Sequence, residues 1–364
     1  MTLELGPQRR IVVVCGSGGV GKTTVAAAMA ARMAREGRRT IVMTVDPARR
    51  LAMSLGLPRR PGERTEVRLD DGVLLDALQL DTQRTFDELV ERHAGSPERR
   101  DRILQNRFYR RMADTLSGTH EYMAMERMYD LATAEDWEAI VVDTPPTRST
   151  LAFLDAPRRV TDFLGGRVFR WLMWPYRVGR SGARRVSLGA RALAATVGRV
   201  AGTELLTDTA EFLAAFEGMY DGFKRRAAAV RELLAGGQTA FVVVTAPERP
   251  SLDEAGHFVD RLGTARMNLA GVVVNRWRRA PSLEASPEAL EAVRGGDPQR
   301  RAVAGCLELA ARLRALEARG RNAVEAFAAG HPGLELTVVP ELPLDVHDRR
   351  GLEDVVRHLF TETV

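Results

Sequence analysis

The sequence predicts an α/β protein built on one doubly wound, mostly parallel β-sheet with helices on both faces. Short runs rich in β-branched residues alternate along the chain with longer helical stretches. Most of these runs are continuously apolar, which is typical of strands buried on both faces of a sheet. No internal repeat is present, and 364 residues are sufficient for one large domain.

Seven strands are predicted from the apolar runs. They are residues 11–14, 40–45, 73–80, 139–142, 240–245, 269–274 and 334–339. The run at 73–80 is interrupted by polar residues, which favours a position near the edge of the sheet.

Helices are predicted between these strands, with breaks near residues 95–97 and 117–118. The helical stretches are 24–36, 82–136, 149–236, 252–262, 287–329 and 351–359. We expect a single domain over residues 1–364. Its two helical insertions, about 82–136 and 149–236, are expected to form one cap over the carboxyl edge of the sheet.

The composition predicts a cytoplasmic protein. The chain shows no N-terminal signal pattern and no uninterrupted apolar stretch of about 18 residues. Its two cysteines, Cys15 and Cys306, are far apart in sequence and are interpreted as packed core residues. Two cysteines alone do not form a disulfide framework or a four-cysteine zinc site, which fits a reducing compartment.

Residues 16–24, GSGGVGKTT, match G-x-x-x-x-G-K-[ST] between a predicted strand and a predicted helix. Glycines let backbone N–H groups turn toward a phosphate, and the N-terminus of the helix adds its dipole. A lysine here reaches the β- and γ-phosphates, and the following hydroxyl binds Mg²⁺. The predicted phosphate-binding residues are Gly16, Ser17, Gly18, Gly19, Val20, Gly21, Lys22, Thr23 and Thr24.

The end of the strand at 269–274 favours ATP over GTP. Guanine-specific loops of this class carry N-K-x-D, whose aspartate binds the guanine. Here the sequence is Asn275-Arg276-Trp277-Arg278, with no acid at the fourth position. Asn275 is therefore expected to hydrogen-bond an adenine.

Two aspartates follow predicted strands directly, Asp46 in TVDPARR and Asp143 in VVDTPPTRST. Ligands of open α/β sheets bind beyond the carboxyl ends of the strands, so both carboxylates are expected beside the glycine loop. One would orient or deprotonate the attacking water, and the other would support Mg²⁺. Either aspartate alone also fits a helix N-cap.

These motifs together resemble the ArsA family of P-loop ATPases, which has the P-loop NTPase topology of the deviant Walker A class. The matching segments are GSGGVGKTT (16–24), VDPARRL (45–51), DTPPTRSTLAFL (143–154), VVVN ending at residue 275 and VVPELPLDVHDRRGL (338–352). The chain looks most similar to bacterial single-domain paralogues. The loop and DTPPT alone also fit chromosome-partition, septum-positioning and nitrogenase-iron-protein relatives.

The resemblance implies an Mg²⁺-dependent ATPase in which Lys22 and Thr23 bind phosphate and metal. Asp46 would then polarise the hydrolytic water, and Asp143 would support the metal. Asn275 and the backbone near Pro340 would contact adenine. Glu248 matches a family acid that lies near the nucleotide across the dimer, and it fits a solvated loop acid equally well.

Ser17 departs from the family pattern G-K-G-G-V-G-K-T. The first lysine of that pattern reaches across a dimer interface and neutralises charge on the partner's phosphate, a role worth about 10³–10⁵ in rate for an arginine finger. Serine has neither the reach nor the charge. Three outcomes remain: a heterodimer with a paralogue that supplies the cation, a local substitute among Arg148, Arg49 and Arg50, or slow ATP binding that acts as a switch.

The expected output is a dimeric, nucleotide-driven switch that handles a hydrophobic protein client or a membrane-associated process. Between residues 158 and 203 there are ten arginines and one acid, which fits either a client or lipid surface or a solvated helical face. Nucleic acid is not favoured, because no base-reading motif is present. The alternatives are a partition or positioning ATPase on DNA or lipid, and a regulatory ATP-binding subunit.

Two further expectations concern the cysteines and methionines. Without paired cysteines the chain is not expected to pump metalloids, because As(III) and Sb(III) need soft thiolate ligands. The segment EYMAMERMYDL (121–131) places Met and Tyr at helical spacing, which favours core packing over a client groove.

Overall fold

A computed structural model describes residues 3, 5–45, 55, 61–106, 109, 119–134, 136–145, 220–282, 286–294, 297–343, 346 and 349–360. The described residues form one sheet of eight strands. The strands are β1 (Ile11–Gly16), β2 (Thr40–Thr44), β3 (Arg64–Arg68), β4 (Leu74–Gln79), β5 (Ala139–Asp143), β6 (Thr239–Thr245), β7 (Leu269–Trp277) and β8 (Leu336–Pro340).

The strand order is β3-β4-β2-β5-β1-β6-β7-β8, and every neighbouring pair is parallel except β3 and β4. The predicted doubly wound, mostly parallel sheet is therefore confirmed. The sequence prediction missed β3, whose residues RTEVR carry only one buried apolar side chain, Val67. This antiparallel strand covers β4, so that β4 is one position inside the edge.

Nine helices lie within the described residues. They are α1 (Lys22–Arg35), α2 (Thr82–His93), α3 (Pro97–Leu104), α4 (Thr119–Thr133), α5 (Tyr220–Ala235), α6 (Arg249–Thr264), α7 (Pro287–Arg294), α8 (Pro298–Gly330) and α9 (Arg349–Phe360). The predicted helix at 287–329 is thus two helices.

Side-chain caps explain where several helices begin. Asp81 accepts a hydrogen bond from the backbone N–H of Arg84 at the start of α2. Ser96 does the same at α3, which opens with a proline, and Asp297 does so at α8. Such caps satisfy N–H groups that have no partner within the helix. The cap at Asp297 accounts for the separation of α7 from α8.

The sheet is covered on both faces, and each face has its own hydrophobic cluster. Helices α1 and α9 pack on one face, where the alanines and methionines of α1 are fully buried. Helices α2, α4, α5, α6 and α8 contribute to the cluster on the other face. The predicted core packing of residues 121–131 is confirmed, since Tyr122, Met123, Met125 and Met128 are buried there.

The expected cap is described only in part. From the first insertion, α2 and α4 share the cluster that also contains β5 and β6 side chains. Of the second insertion, residues 146–219, including its arginine-rich part, lie outside the described residues. Among the helices that the structure describes, none is long and apolar enough to cross a membrane.

The two cysteines occupy different environments. Cys15 is buried in β1, whereas Cys306 is exposed on α8. The interpretation of both as core residues is correct for Cys15 and wrong for Cys306. Cys306 lies on the solvent-facing side of α8. The sequence of this helix does not show which of its sides faces solvent.

A partly buried ion network joins α2, α4 and α5. The Nε of Arg226 donates to Glu126 Oε2 at 2.7 Å, and its guanidinium also binds Asp130. Arg92 forms a bidentate pair with Asp130. Burial raises the pKa of Glu126 even though Arg226 opposes the shift. For Asp130 burial acts in the same upward direction, but Arg92 and Arg226 outweigh it and lower the pKa.

Replacing Arg226 is expected to destabilise this junction strongly. In Arg226→Ala, Glu126 keeps a fully buried carboxylate without its cation, a situation that costs about 3–5 kcal/mol. Urea denaturation should show this loss. The neighbouring, exposed Arg225 provides a matched control, and Arg225→Ala should change stability by less than about 0.5 kcal/mol. Equal stability of the two variants would contradict a structural role for the network.

Candidate functional site

The candidate site lies where the carboxyl ends of the central strands meet. The glycine loop follows β1, which lies between β5 and β6 in the sheet. In parallel sheets this edge is the usual place for a ligand, because loops and helix N-termini converge there. The loop leads directly into α1, whose first residue is Lys22.

Three glycines of the loop have backbone conformations that other residues rarely adopt. Gly16 has φ 147° and pairs with Val244, whose carbonyl oxygen would lie 2.0 Å from an added Cβ. Gly19 and Gly21 have φ 79° and 95°. These angles are left-handed or outside the normal regions for L-residues, so glycine is required for the loop to wrap.

The side chain of Lys22 turns back across the loop. Its Nζ donates to the carbonyl oxygen of Ser17 at 2.8 Å, and only 5% of the residue is exposed. The ammonium is thus held inside the concave side of the loop, where a phosphate would need a cation. Burial of Cys15 in β1 raises the pKa of its thiol, although the charge of Lys22 opposes the shift. Cys15 is therefore a neutral thiol and not a nucleophile.

A buried carboxylate joins three elements beneath the loop. Asp143 Oδ2 accepts hydrogen bonds from Thr23 Oγ1 and from Thr44 Oγ1, each at 2.8 Å. Asp143 is completely buried. A carboxylate beside a hydroxyl supplies the oxygen donors that Mg²⁺ prefers, so these residues fit the predicted metal. Thr23 and Asp143 are brought together as the sequence analysis expected.

Thr44 was missed by the sequence analysis. It is the last residue of β2 and lies opposite Asp143 in the register of β2 and β5. A hydroxyl residue at the end of an otherwise apolar strand is the only signal in the sequence. That signal becomes meaningful once the two strands are known to be neighbours.

Asn275 braces the loop from the side of β7. Its Nδ2 donates to the carbonyl oxygen of Val20 at 2.8 Å, and a Cβ on Gly21 would lie 2.2 Å from the same nitrogen. Pro340 ends β8 and pairs with Trp277 of β7. Asn275 and Pro340 therefore lie on adjacent strands at the edge that carries the loop. Their predicted contact with adenine stays a prediction.

Glu248 lies three residues after the end of β6. It is exposed at the N-terminus of α6, where it lines a groove of about 1040 Å³ together with Trp277, Arg278 and residues of α6 and α8. No residue of the glycine loop lines this groove. The predicted position of Glu248 near a nucleotide across the dimer stays a prediction.

The side chain of Ser17 points into the protein. Its Oγ is buried and makes no hydrogen bond with the described residues. Asp46 and the candidate substitutes Arg49, Arg50 and Arg148 lie outside the described part of the chain. The residue before Asp46 is at the same edge, since the N–H of Val45 donates to the carbonyl oxygen of Asp143 at 3.1 Å.

The sheet and its glycine loop define a P-loop NTPase. The chain belongs to the ArsA family, described as anion-transporting ATPases, because the model of that family matches residues 9–295, which is most of its length. This finding confirms the resemblance seen in the sequence.

Individual relatives are distant. The chain is 27% identical over 269 residues to "ATPase ARSA2" of Chlamydomonas reinhardtii, covering 73% of this chain and 67% of that protein. It is 30% identical over 152 residues to "ATPase get3" of Aspergillus terreus, covering 41% and 43%. It is 29% identical over 242 residues to an uncharacterized protein of Streptomyces coelicolor, covering 65% and 55%. The chain thus spans about two thirds or less of the length of these relatives.

Gly21→Ala is expected to disrupt the loop beyond simple backbone strain. Gly37, at the other end of α1, provides a matched control, because it also has a positive φ of 81° but has no atom within 4 Å of an added Cβ. Both substitutions should cost about 1 kcal/mol through strain. Only Gly21→Ala displaces Asn275, so only this variant should lose binding of a fluorescent ATP analogue. Similar binding of the ATP analogue by the two variants would show that the hydrogen bond from Asn275 to Val20 is not needed for nucleotide binding.

Proposed function

We propose that this chain is an Mg²⁺-dependent ATPase that works as a dimeric, nucleotide-driven switch in the cytoplasm. The observation that carries the proposal is the Lys22 ammonium held across a left-handed glycine loop, above the Thr23–Asp143 pair. A compact cation, inward amides and a hydroxyl–carboxylate pair are the groups needed to bind a triphosphate and its metal. Membership of the ArsA family supports the same activity.

ATP is the proposed nucleotide because the residue in the guanine-binding position is a cation. Arg278 donates to Glu341 Oε2 at 2.8 Å, and this hydrogen bond is the main cause that raises its pKa. A guanidinium has no acceptor, so it does not replace the aspartate that would accept hydrogen bonds from guanine. Asn275, with an amide oxygen and nitrogen, remains the proposed adenine contact, together with the backbone at Pro340.

The remaining site residues are proposed to bind the metal and to orient the attacking water. Thr23 and Asp143 would hold Mg²⁺, which supplies positive charge to the phosphates when it is bound. Asp46, which follows Thr44 by two residues in the sequence, would orient the attacking water. Thr44 would keep the Asp143 carboxylate in place by donating to the oxygen that Thr23 also contacts.

Ser17 determines how the proposed dimer would be activated. A buried serine hydroxyl offers a partner subunit no positive charge. We therefore propose either a heterodimer with a paralogous ATPase that supplies the missing cation, or a substitute arginine among Arg49, Arg50 and Arg148. The second candidate function, a regulatory ATP-binding subunit, is favoured by the same observation.

The client is proposed to be a hydrophobic protein or a membrane-associated component, with the helical insertions of the single domain as the moving part. Metalloid transport is not proposed. Soft metal ligands are needed in pairs or threes, whereas Cys15 is buried in β1 and Cys306 is exposed on α8.

Lys22→Ala tests the nucleotide site directly. Only two lysines are present, so Lys224→Ala is a matched control that removes the same charge from an exposed position on α5. Loss of the Lys22 ammonium should weaken Mg·ATP binding at least about tenfold, because a hydrogen bond to a charged group is lost. Calorimetric titration with Mg·ATP, repeated with EDTA, measures this. Unchanged binding in Lys22→Ala would refute the proposed function.

Ser17→Lys tests whether a missing cation limits turnover. If the chain forms a dimer that lacks this charge, the substitution should raise ATP hydrolysis by the chain alone at least about tenfold. Ser17→Ala is the control and should change little, since the hydroxyl makes no hydrogen bond with the described residues. If Ser17→Lys does not increase ATP hydrolysis, the result would favour a local arginine as the substitute cation, or a role as a regulatory ATP-binding subunit.

A further inference from the structure

Among the described residues, two that are not glycine have a left-handed backbone conformation, and both are arginines. Arg266 has φ 55° and Arg276 has φ 59°. Residues other than glycine reach this region only at an energetic cost, whereas glycine reaches it freely. Residues held in such conformations cluster at ligand sites, so each of the two arginines needs a physical explanation.

The conformation of Arg266 is explained by the end of helix α6. The N–H of Arg266 donates to the carbonyl oxygen of Gly263 at 3.0 Å. The N–H of Met267 donates to the carbonyl oxygen of Leu262 at 2.9 Å. These two hydrogen bonds form the Schellman motif, in which a left-handed residue follows the helix. Arg266 therefore has a structural reason for its positive φ, and it lies before β7, at the amino edge of the sheet.

Arg276 lies within β7, where no helix end explains its conformation. β7 advances by three residues from Val274 to Trp277. The partners of these two residues on β8 are Val338 and Pro340, which are only two residues apart. One residue of β7 is therefore extra, and the strand has a β-bulge. Bulges of this kind occur often beside active sites, where they change the direction of a side chain.

The bulge changes which face of the sheet the side chains of β7 reach. Val274 packs in the cluster on the α6 side, whereas Asn275 holds the glycine loop at Val20. In a regular strand Trp277 would lie on the same face as Asn275, because side chains alternate. Trp277 instead packs against the cluster on the α6 side. Arg276 takes up this change of phase, directly after the residue that holds the loop.

The side chain of Arg276 is exposed at the edge of the sheet that carries the glycine loop. It makes no hydrogen bond or ion pair with the described residues. The nearby Arg278 differs, since its guanidinium is paired with Glu341. Within the described part of the chain, the guanidinium of Arg276 is therefore available to a ligand.

The strand order places Arg276 on the side where the base of the proposed nucleotide would lie. The Thr23–Asp143 pair, which is proposed to hold the metal, lies on the β5 side of β1. β7 lies two strands from β1 in the opposite direction. β5 and β7 are thus separated by about 14 Å, at about 4.8 Å for each strand. A nucleotide with its phosphates in the loop and at this metal site would extend its base toward β7.

We propose that Arg276 binds the adenine of ATP by placing its guanidinium against the face of the base. The inference rests on the proposed function and adds a residue to the edge where Asn275 and Pro340 are proposed to contact adenine. A guanidinium is planar and weakly hydrated, so it stacks on aromatic rings. Because every base has such a face, this contact adds affinity without selecting one base over another.

Arg276→Gly removes the side chain and keeps the left-handed backbone without strain. In urea denaturation the variant should be at least as stable as the unmodified chain. Calorimetric titration should nevertheless show about threefold weaker binding of both Mg·ATP and Mg·ADP, because an exposed contact between a cation and a ring is lost. Arg266→Gly is the matched control, since it removes the same side chain at a similar φ from the opposite edge of the sheet. Its affinity should be unchanged.

A second measurement reports on the base itself. Ethenoadenosine triphosphate, a fluorescent analogue of ATP, is bound to each variant with Mg²⁺ and quenched with acrylamide. Acrylamide is uncharged, so its quenching depends on how well it reaches the base. A base covered by Arg276 is shielded, and quenching should therefore be stronger in Arg276→Gly than in Arg266→Gly. Arg276→Lys keeps the charge without the planar group, so it should recover the affinity only in part.

Three results would overturn the inference. They are equal nucleotide affinity in Arg276→Gly and Arg266→Gly, equal quenching of the bound base in these two variants, and full recovery of affinity in Arg276→Lys. The last result would show that charge alone matters, as in a contact with phosphate. If the unmodified chain binds Mg·ATP through Lys22 and any of these results is found, the proposed function stands and only the role of Arg276 fails. A chain that binds no Mg·ATP refutes the proposed function itself.

Discussion

The carboxylate of Asp143 is the point on which the rest of the site depends. One oxygen accepts hydroxyl protons from both Thr23 at the start of α1 and Thr44 at the end of β2, while Asp143 itself ends β5. Three separate elements are thereby fixed to one another within the reach of two short side chains. Because the group is completely buried, these hydrogen bonds offset the cost of removing a carboxylate from water. The glycine loop is joined to this arrangement through Thr23, and Asn275 of β7 holds the loop by donating a hydrogen bond to Val20.

Much of the fold was predictable because the buried strands are continuous in sequence. Runs such as Ile11–Val14 and Ala240–Thr245 have few polar interruptions. Such runs are typical of strands that are buried on both faces of a parallel sheet. β3 was not predictable, since its exposed Arg64, Glu66 and Arg68 resemble a polar connection. Its strand character arises from hydrogen bonding to β4, which local sequence does not encode.

The candidate site was predictable where a local motif specifies it and not where strand order decides. Lys22 and Thr23 follow from the spacing of the glycine loop. Thr44 and the bracing role of Asn275 require the knowledge that β2 lies next to β5 and that β7 reaches the loop past β6. The exposure of Cys306 was hidden for a related reason, because which side of α8 faces solvent depends on tertiary structure.

The charged character of β3 also affects how the protein behaves while it folds. An uncovered strand at a sheet edge offers unpaired N–H and C=O groups to other chains. Folding intermediates expose such edges and are therefore prone to aggregation. β3 presents Arg64, Glu66 and Arg68 to solvent at one end of an otherwise very apolar sheet. Strands from neighbouring molecules would have to desolvate these charges before pairing. The residues that concealed β3 in the sequence therefore protect the nascent sheet from aggregation.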